Sequence, residues 1–323
     1  MKKLTIILLC IPLILLSACL GDEENVEIDK ERIDMQPETM KINQDSELKI
    51  VPLYTQYQKY LEASLETNDT EQKRKFFKEF VLDYIEEIGE EEKFGTADLK
   101  GNFLMKSTSY EQELLNRIDI LMSKHDEIEE TIIKTYIASH KVLPKKKSTI
   151  FLVPINSEFA FIGESLGGVS GNAYKDSFVF YLNEDFDKNI LAYATAHEYH
   201  HLILRDTPNF MISSVLNSAI LEGKADAFAD RIVKGVSPPW HEPIDEKTKE
   251  HVASLVNDYE TTFNDFVVGN EQKNLPRWSN YILGKDILNH YLESNPELSI
   301  QDWTFKEDHE ILEGYKYQEI LQQ

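Results

Sequence analysis

The run His197-Glu198-Tyr199-His200-His201 decides how the second half of this chain is read. Residues four apart on an α-helix differ by about 40° around its axis, so His197 and His201 point the same way and can meet one metal ion. Glu198 stands about 100° round from His197, beside such an ion rather than bound to it. From there a carboxylate can take a proton from a metal-bound water. His200 is turned about 100° from His201 and reads as a polar wall residue, not a ligand.

A catalytic zinc usually takes three protein ligands and leaves the fourth position to water. The third candidate lies downstream, in Leu221-Glu222-Gly223-Lys224-Ala225-Asp226. Glu222 opens a Glu-x-x-x-Asp pattern in a segment where Leu216, Ala219, Ile220, Ala227 and Phe228 recur at helical spacing. A second helix, antiparallel to the first and reached through the turn Asp206-Thr207-Pro208-Asn209, would swing Glu222 back over the two histidines. Asp226, one turn on, is placed to accept the free ring N–H of a ligating histidine, which fixes its tautomer and raises its basicity.

A His-Glu-x-x-His helix followed by a helix with Glu-x-x-x-Asp resembles the gluzincin, thermolysin-like branch of the zincin metallopeptidases. The fuller context, HEYHH with LEGKADAFAD after it, is similar to a family of predicted zinc-dependent proteases of Gram-positive bacteria. The likeness covers roughly residues 150 to 295. It implies one Zn2+ per chain held by His197, His201 and Glu222, with Glu198 as general base and Asp226 supporting a ligand from behind. Leu221 stands where thermolysin-like enzymes carry an asparagine, which removes a polar group near the site but no ligand.

The same resemblance implies an antiparallel edge strand above the metal, to which an extended substrate adds as a further strand. Gly171-Asn172-Ala173-Tyr174 is similar to the Asn-Ala-aromatic segment that holds the substrate main chain in those enzymes, which assigns substrate binding to Asn172 and Ala173. A Gly-rich hairpin turn is the other reading of these residues. In gluzincins a Tyr or His on a later helix commonly stabilises the oxyanion. Tyr281 is the candidate, with His241, His251 and His290 as competitors and plain core packing as the alternative. Arg205, one turn after His201, either clamps a substrate carboxylate or pairs with Asp206 or another acid; the structural pairing is the expectation.

The amino terminus carries a separate message. Met1-Lys2-Lys3 is a basic start, Leu4 to Leu16 is an apolar stretch too short to span a bilayer comfortably, and Leu16-Ser17-Ala18-Cys19 follows. That order resembles a bacterial lipoprotein signal: residues 1–18 are removed and Cys19 carries the lipid, anchoring the protein on the outer face of the cell membrane. An uncleaved signal anchor would leave the bulk of the chain on the same side. Cys10, the only other cysteine, lies in the removed segment, so no disulfide forms within the mature chain.

A formal net charge of −23 argues against nucleic acid as a partner, since phosphates demand cationic surface. Residues 19–47 read as an acidic, disordered tether. Val51 to Leu65, Glu71 to Ile88 and Glu111 to Val142 show helical periodicity, and Pro144 with Lys145-Lys146-Lys147 marks a break before the strand Thr149 to Val153. A second strand, Ser177 to Leu182, leads into the His-bearing helix. The expected fold is therefore α+β and mainly helical, with a helical region over 48–145 and a zincin-like catalytic domain over 146–323. The expected function is a membrane-anchored, extracellular zinc peptidase acting on a peptide or protein. The alternative is a surface lipoprotein that keeps the fold and serves as a binding or chaperone-like module.

Overall fold

Residues 34–208 and 210–322 are described by the structure, a computed structural model. The signal segment, Cys19 and the first part of the acidic tether lie outside them. The described chain opens with a hairpin of β1 (Glu38–Lys41) and β2 (Glu47–Pro52), and continues into α1 (Tyr54–Leu65), α2 (Thr70–Phe77) and α3 (Asp83–Glu92). Next come α4 (Ala97–Lys100), α5 (Glu111–Ser123), α6 (His125–Val142), β3 (Lys147–Pro154) and α7 (Ala160–Glu164). A second hairpin, β4 (Val169–Ala173) and β5 (Ser177–Leu182), leads to α8 (Lys188–Leu204) and α9 (Val215–Ile232). The elements α10 (Glu246–Leu255), α11 (Phe263–Val268) and α12 (Ser279–Ser294) follow, before three short helices at the end.

The fold is α+β and mainly helical around a five-stranded sheet of order β1-β2-β3-β5-β4. Strands β2, β3 and β5 run parallel in the middle, while β1 and β4 are antiparallel edges. The central strands are buried along nearly their whole length, which suits the uninterrupted apolar runs Ile150 to Val153 and Phe178 to Leu182. One contiguous core extends from Leu48 in the sheet through Tyr57 and Tyr136 to Trp303 near the end, and residues from Asp34 onward form one compact unit.

Two differences from the sequence expectation have physical reasons. The stretch expected as tether and helix around 38–52 is instead β1 and β2, because Leu48, Ile50 and Val51 are buried beside β3 and Pro52 ends the strand before α1 can start. The single helix expected over 111–142 breaks at Lys124, where the backbone leaves helical geometry. The edge strand expected around Gly171–Tyr174 is β4, and the tight turn lies after it, with Asp176 at φ 63°. The helix expected over 71–88 does form a continuous run, since a π-turn over Lys78–Leu82 joins α2 to α3. Among the described residues no helix is long and apolar enough to cross a membrane.

Two details place the site. Helix α8 starts at Asp187, whose carboxylate accepts the free N–H groups of Asn189 and Ile190, and is buried on almost every side. Helix α12 packs extensively on α9, and the crossing is made at glycines. A Cβ on Gly223 would overlap the carbonyl of Gly284, and one on Gly284 would overlap the carbonyl of Ala219. Only bare backbone permits so close an approach, which brings the first turn of α12 against Glu222.

Candidate metal centre

His197 and His201 project from one face of α8 and Glu222 meets them from α9. The Nε2 atoms of the two histidines lie 3.1 Å apart, and Glu222 Oε2 is 3.1 Å from His197 Nε2 and 3.3 Å from His201 Nε2. Donor atoms on a tetrahedral zinc with bonds of about 2.0–2.1 Å stand about 3.3 Å from one another, so the three atoms match one face of that tetrahedron. Among the described residues no other group of His, Cys, Asp or Glu side chains converges in this way. Glu198 is buried beside the triad, and its Oε2 has no hydrogen-bond partner in the protein. A buried carboxylate oxygen without a partner is costly unless something polar meets it, which fits a water held on an ion at that spot.

Charge and burial set the protonation. Burial pushes Glu222 up, but the charge of His201 and hydrogen bonds from both histidines outweigh it and hold the carboxyl down at about 2. Burial also disfavours charge on His197, yet hydrogen bonds to Asp226 and Glu222 raise it well above the usual imidazole value. A metal entering here therefore displaces a proton from Nε2. Glu198 moves the other way: burial, only partly offset by His201 and His197, raises it above the ordinary carboxylate range.

Behind His197 lies a buried polar chain. His197 Nδ1 donates to Asp226 Oδ1 at 2.9 Å, which leaves Nε2 to face the other ligands. Asp226, with no exposure, also accepts from Trp240 Nε1 at 3.2 Å and from His241 Nε2 at 2.7 Å. Lys285 Nζ donates to His241 Nδ1 at 2.6 Å. An ammonium only donates, so His241 Nδ1 is an acceptor and its proton is on Nε2, aimed at Asp226. Burial opposes ionisation of Asp226, but the bonds from His197 and His241 hold its carboxyl well below the usual range. Tyr193, one turn before His197, adds a hydroxyl contact to Asp226 Oδ1 at 3.4 Å and one to Asp230 at 3.1 Å.

The triad opens into a cavity of about 560 Å³. Gly171, Asn172 and Ala173 of β4 form one wall, and β4 is bonded to β5 on one side only, so its other backbone edge is unpaired by any strand among the described residues. Gly171 is required here: a Cβ would stand 2.6 Å from Glu198 Oε1. Asn172 is exposed, its Oδ1 accepting from Asn102 at 3.0 Å. Tyr281 lines the facing wall from the first turn of α12, its ring stacked near His197 with centroids 6.2 Å apart. Burial and the nearby Glu222 and Glu198 carboxylates raise its hydroxyl well above 10, so it stays a donor at neutral pH.

The remaining candidates fall elsewhere. His251 bonds the Lys273 carbonyl and His290 packs on Tyr315, both apart from the cavity lining. His200 is not a wall residue of the cavity but part of the core, stacked on Trp303 and close to Phe228, where burial keeps it neutral. Arg205 does not pair with Asp206, which binds Lys145 instead. It lies over the Phe210 ring, 5.2 Å from the centroid, inside the cavity wall. Sequence reasoning did not find Trp240 or Lys285, and it considered His241 only for the oxyanion. Tyr193, His197 and His201 share an i, i+4, i+8 face, which was a usable signal for Tyr193. Trp240 and Lys285 had none, because they reach Asp226 and His241 through tertiary packing.

Residues 128–313 match the family model described as predicted Zn-dependent protease (DUF2268), which is more than half of the chain. The matched span runs from α6 past α12 and holds the triad, Glu198, β4 and Tyr281. No curated protein and no solved structure matches.

Proposed function

The chain belongs to this family of predicted zinc-dependent proteases, and from that membership and the geometry of α8 and α9 we propose that it is a zinc peptidase. The observation that carries the reading is the meeting of His197 Nε2, His201 Nε2 and Glu222 Oε2 within 3.1–3.3 Å, with the unpartnered carboxylate of Glu198 beside them. Bound there, zinc supplies Lewis acidity, making water a nucleophile near neutral pH and polarising a peptide carbonyl.

The protein's own groups divide the remaining work. Glu198 takes the proton of the attacking water and hands it to the leaving amine; burial, which raises its carboxyl above the ordinary range, favours uptake of that proton. Tyr281, kept protonated, donates a hydrogen bond to the oxyanion of the tetrahedral intermediate. Asp226 fixes the tautomer of His197 and thus which nitrogen faces the metal. The unpaired edge of β4 receives an extended polypeptide by main-chain hydrogen bonds, with Asn172 and Ala173 as its contacts. Both carbonyl and amine then lie beside Glu198, which packs against Gly171.

The reading extends to location. A lipid on Cys19 holds the catalytic unit outside the cell membrane, supported by the order of basic start, apolar run and Leu-Ser-Ala-Cys. The peptidase assignment is tested by profiling a peptide library with the purified protein as isolated, after zinc chelation, and after zinc is restored. Cleavage should vanish with the chelator and return with zinc. Cleavage indifferent to the chelator would reject the zinc reading.

A further inference from the structure

The cavity wall holds two guanidinium groups that no carboxylate of the described chain bonds, although the charge of Arg205 reaches Glu198. Arg205 follows α8 and Arg277 precedes α12, and neither makes an ion pair among the described residues. The chain has 57 acidic against 34 basic residues, so an arginine left without a carboxylate is a conspicuous choice. Each instead lies on an aromatic ring: Arg205 over Phe210 at 5.2 Å, Arg277 over Trp278 at 4.6 Å. Stacking holds a guanidinium in place while leaving its N–H edge available. The Nε of Arg205 is closed off from solvent, but its terminal N–H groups are not buried and bond no group of the described chain, and the one side-chain hydrogen bond of Arg277 runs to the neutral hydroxyl of Ser165 at 2.8 Å.

The cavity's own negative charges are already committed. Among the described residues its only acidic lining groups are Glu222, bonded to both histidines, and Glu198, buried beside them. No lysine lines it. The walls are otherwise largely apolar, with Phe161, Ile212, Phe263 and Val268 exposed at the rim. In such surroundings a charge-assisted hydrogen bond is stronger than in water, and an unmet guanidinium donor is a ready acceptor site for an anion.

We propose that Arg205 and Arg277 are carboxylate-binding groups of the cavity wall, so that the preferred polypeptide is one that combines apolar side chains with a negative charge near the scissile bond. This rests on the peptidase reading of the same cavity. The carboxylate comes from an acidic side chain or from the free C-terminus of the substrate, and the test separates the two. The subsite also overcomes the repulsion that a chain of net charge −23 presents to an acidic peptide at longer range.

The test uses four fluorescent decapeptides of one apolar sequence, carrying Glu or Gln at the central positions and a free or amidated C-terminus. Cleavage is measured with the wild type, and binding by anisotropy with Glu198→Gln, which keeps the cavity but removes the base. The wild type should favour one carboxylate-bearing arm by about 10- to 100-fold in kcat/KM, the size of a charge-assisted pair. Arg205→Met with Arg277→Met should bring that ratio close to one, and Arg205→Lys with Arg277→Lys should recover part of it. Zinc content measured on each variant shows that the cavity is still assembled. Preference in the Glu/Gln arm identifies a side chain, and preference in the free/amidated arm identifies a C-terminus. If no peptide is cleaved but the Glu198→Gln protein still binds carboxylate peptides preferentially, the subsite stands while the peptidase reading fails. Equal treatment of all four peptides in cleavage and in binding, or a preference that survives the double methionine variant, overturns the subsite.

Discussion

His241 reaches the candidate metal centre without touching it: its Nε2 lies 2.7 Å from Asp226 Oδ2, and the other oxygen of that carboxylate takes His197 Nδ1 at 2.9 Å. Lys285 completes the chain by donating to His241 Nδ1. Each link fixes the proton position of the next, so the orientation of His197 is set three residues away from it. Replacing His241 by Phe removes one donor from a fully buried carboxylate and loosens its hold on His197. Zinc affinity, read by competition with a chelator of known strength, should fall about 10- to 100-fold, as for other groups supporting a ligating histidine. His241→Gln, which restores a donor, should recover much of it. Unchanged affinity in the Phe variant would remove this chain from the account.

The glycine crossing of α9 and α12 predicts a stability effect coupled to the site. A Cβ on Gly284 meets the backbone carbonyl of Ala219, which cannot swing aside as a side chain can. Gly284→Ala should therefore cost at least about 2–3 kcal/mol in chemical denaturation, despite alanine's better helix propensity. Because Tyr281 sits one turn earlier on α12, the same variant should lower turnover more than zinc affinity. A stabilised Gly284→Ala protein would show that the helices do not approach this closely.

Acid sensitivity follows from Glu222. Its folded carboxyl is held at about 2 against an ordinary 4.5, so it contributes stability that is fully present above about 4.5 and is lost as pH falls toward 2. In the zinc-free protein, the melting temperature should drop through that window. Glu222→Gln should flatten that part of the profile while abolishing tight zinc binding. A variant with the same acid profile as the wild type would remove Glu222 as its source.

Cys19 gives a prediction about location. Cys19→Ser leaves no sulfur for lipid, so the protein should move from the membrane fraction to the soluble or uncleaved precursor pool, and metabolic labelling with a fatty acid should disappear. Equal membrane association and labelling in the variant would exclude lipidation at that residue.

Much of the site was legible because two spacings carry it. The i, i+4 histidines and the Glu-x-x-x-Asp turn survive any choice of tertiary packing, and His197, His201, Glu222 and Asp226 do come together as a set. The strands Ile150 to Val153 and Phe178 to Leu182 were plain from buried apolar runs. What escaped depends on contacts far apart in sequence. Strand β2 was hidden because Leu48-Lys49-Ile50-Val51 is too short to separate strand from helix without knowing that β3 lies beside it. Arg205 was expected beside Asp206, but Lys145, more than fifty residues earlier, takes that aspartate, and this frees the guanidinium for the cavity. His200 next to the motif looked like a lining group until Trp303 covered it.

The proposed reaction turns on Glu198 as the base beside a zinc held by His197, His201 and Glu222. Side-by-side measurement of zinc stoichiometry and peptide turnover in the wild type and Glu198→Gln tests it most directly. About one zinc per chain is expected in both proteins, with turnover in the variant reduced by at least about 100-fold. Turnover equal to the wild type at full zinc occupancy, or a wild type that holds no stoichiometric zinc, would contradict it.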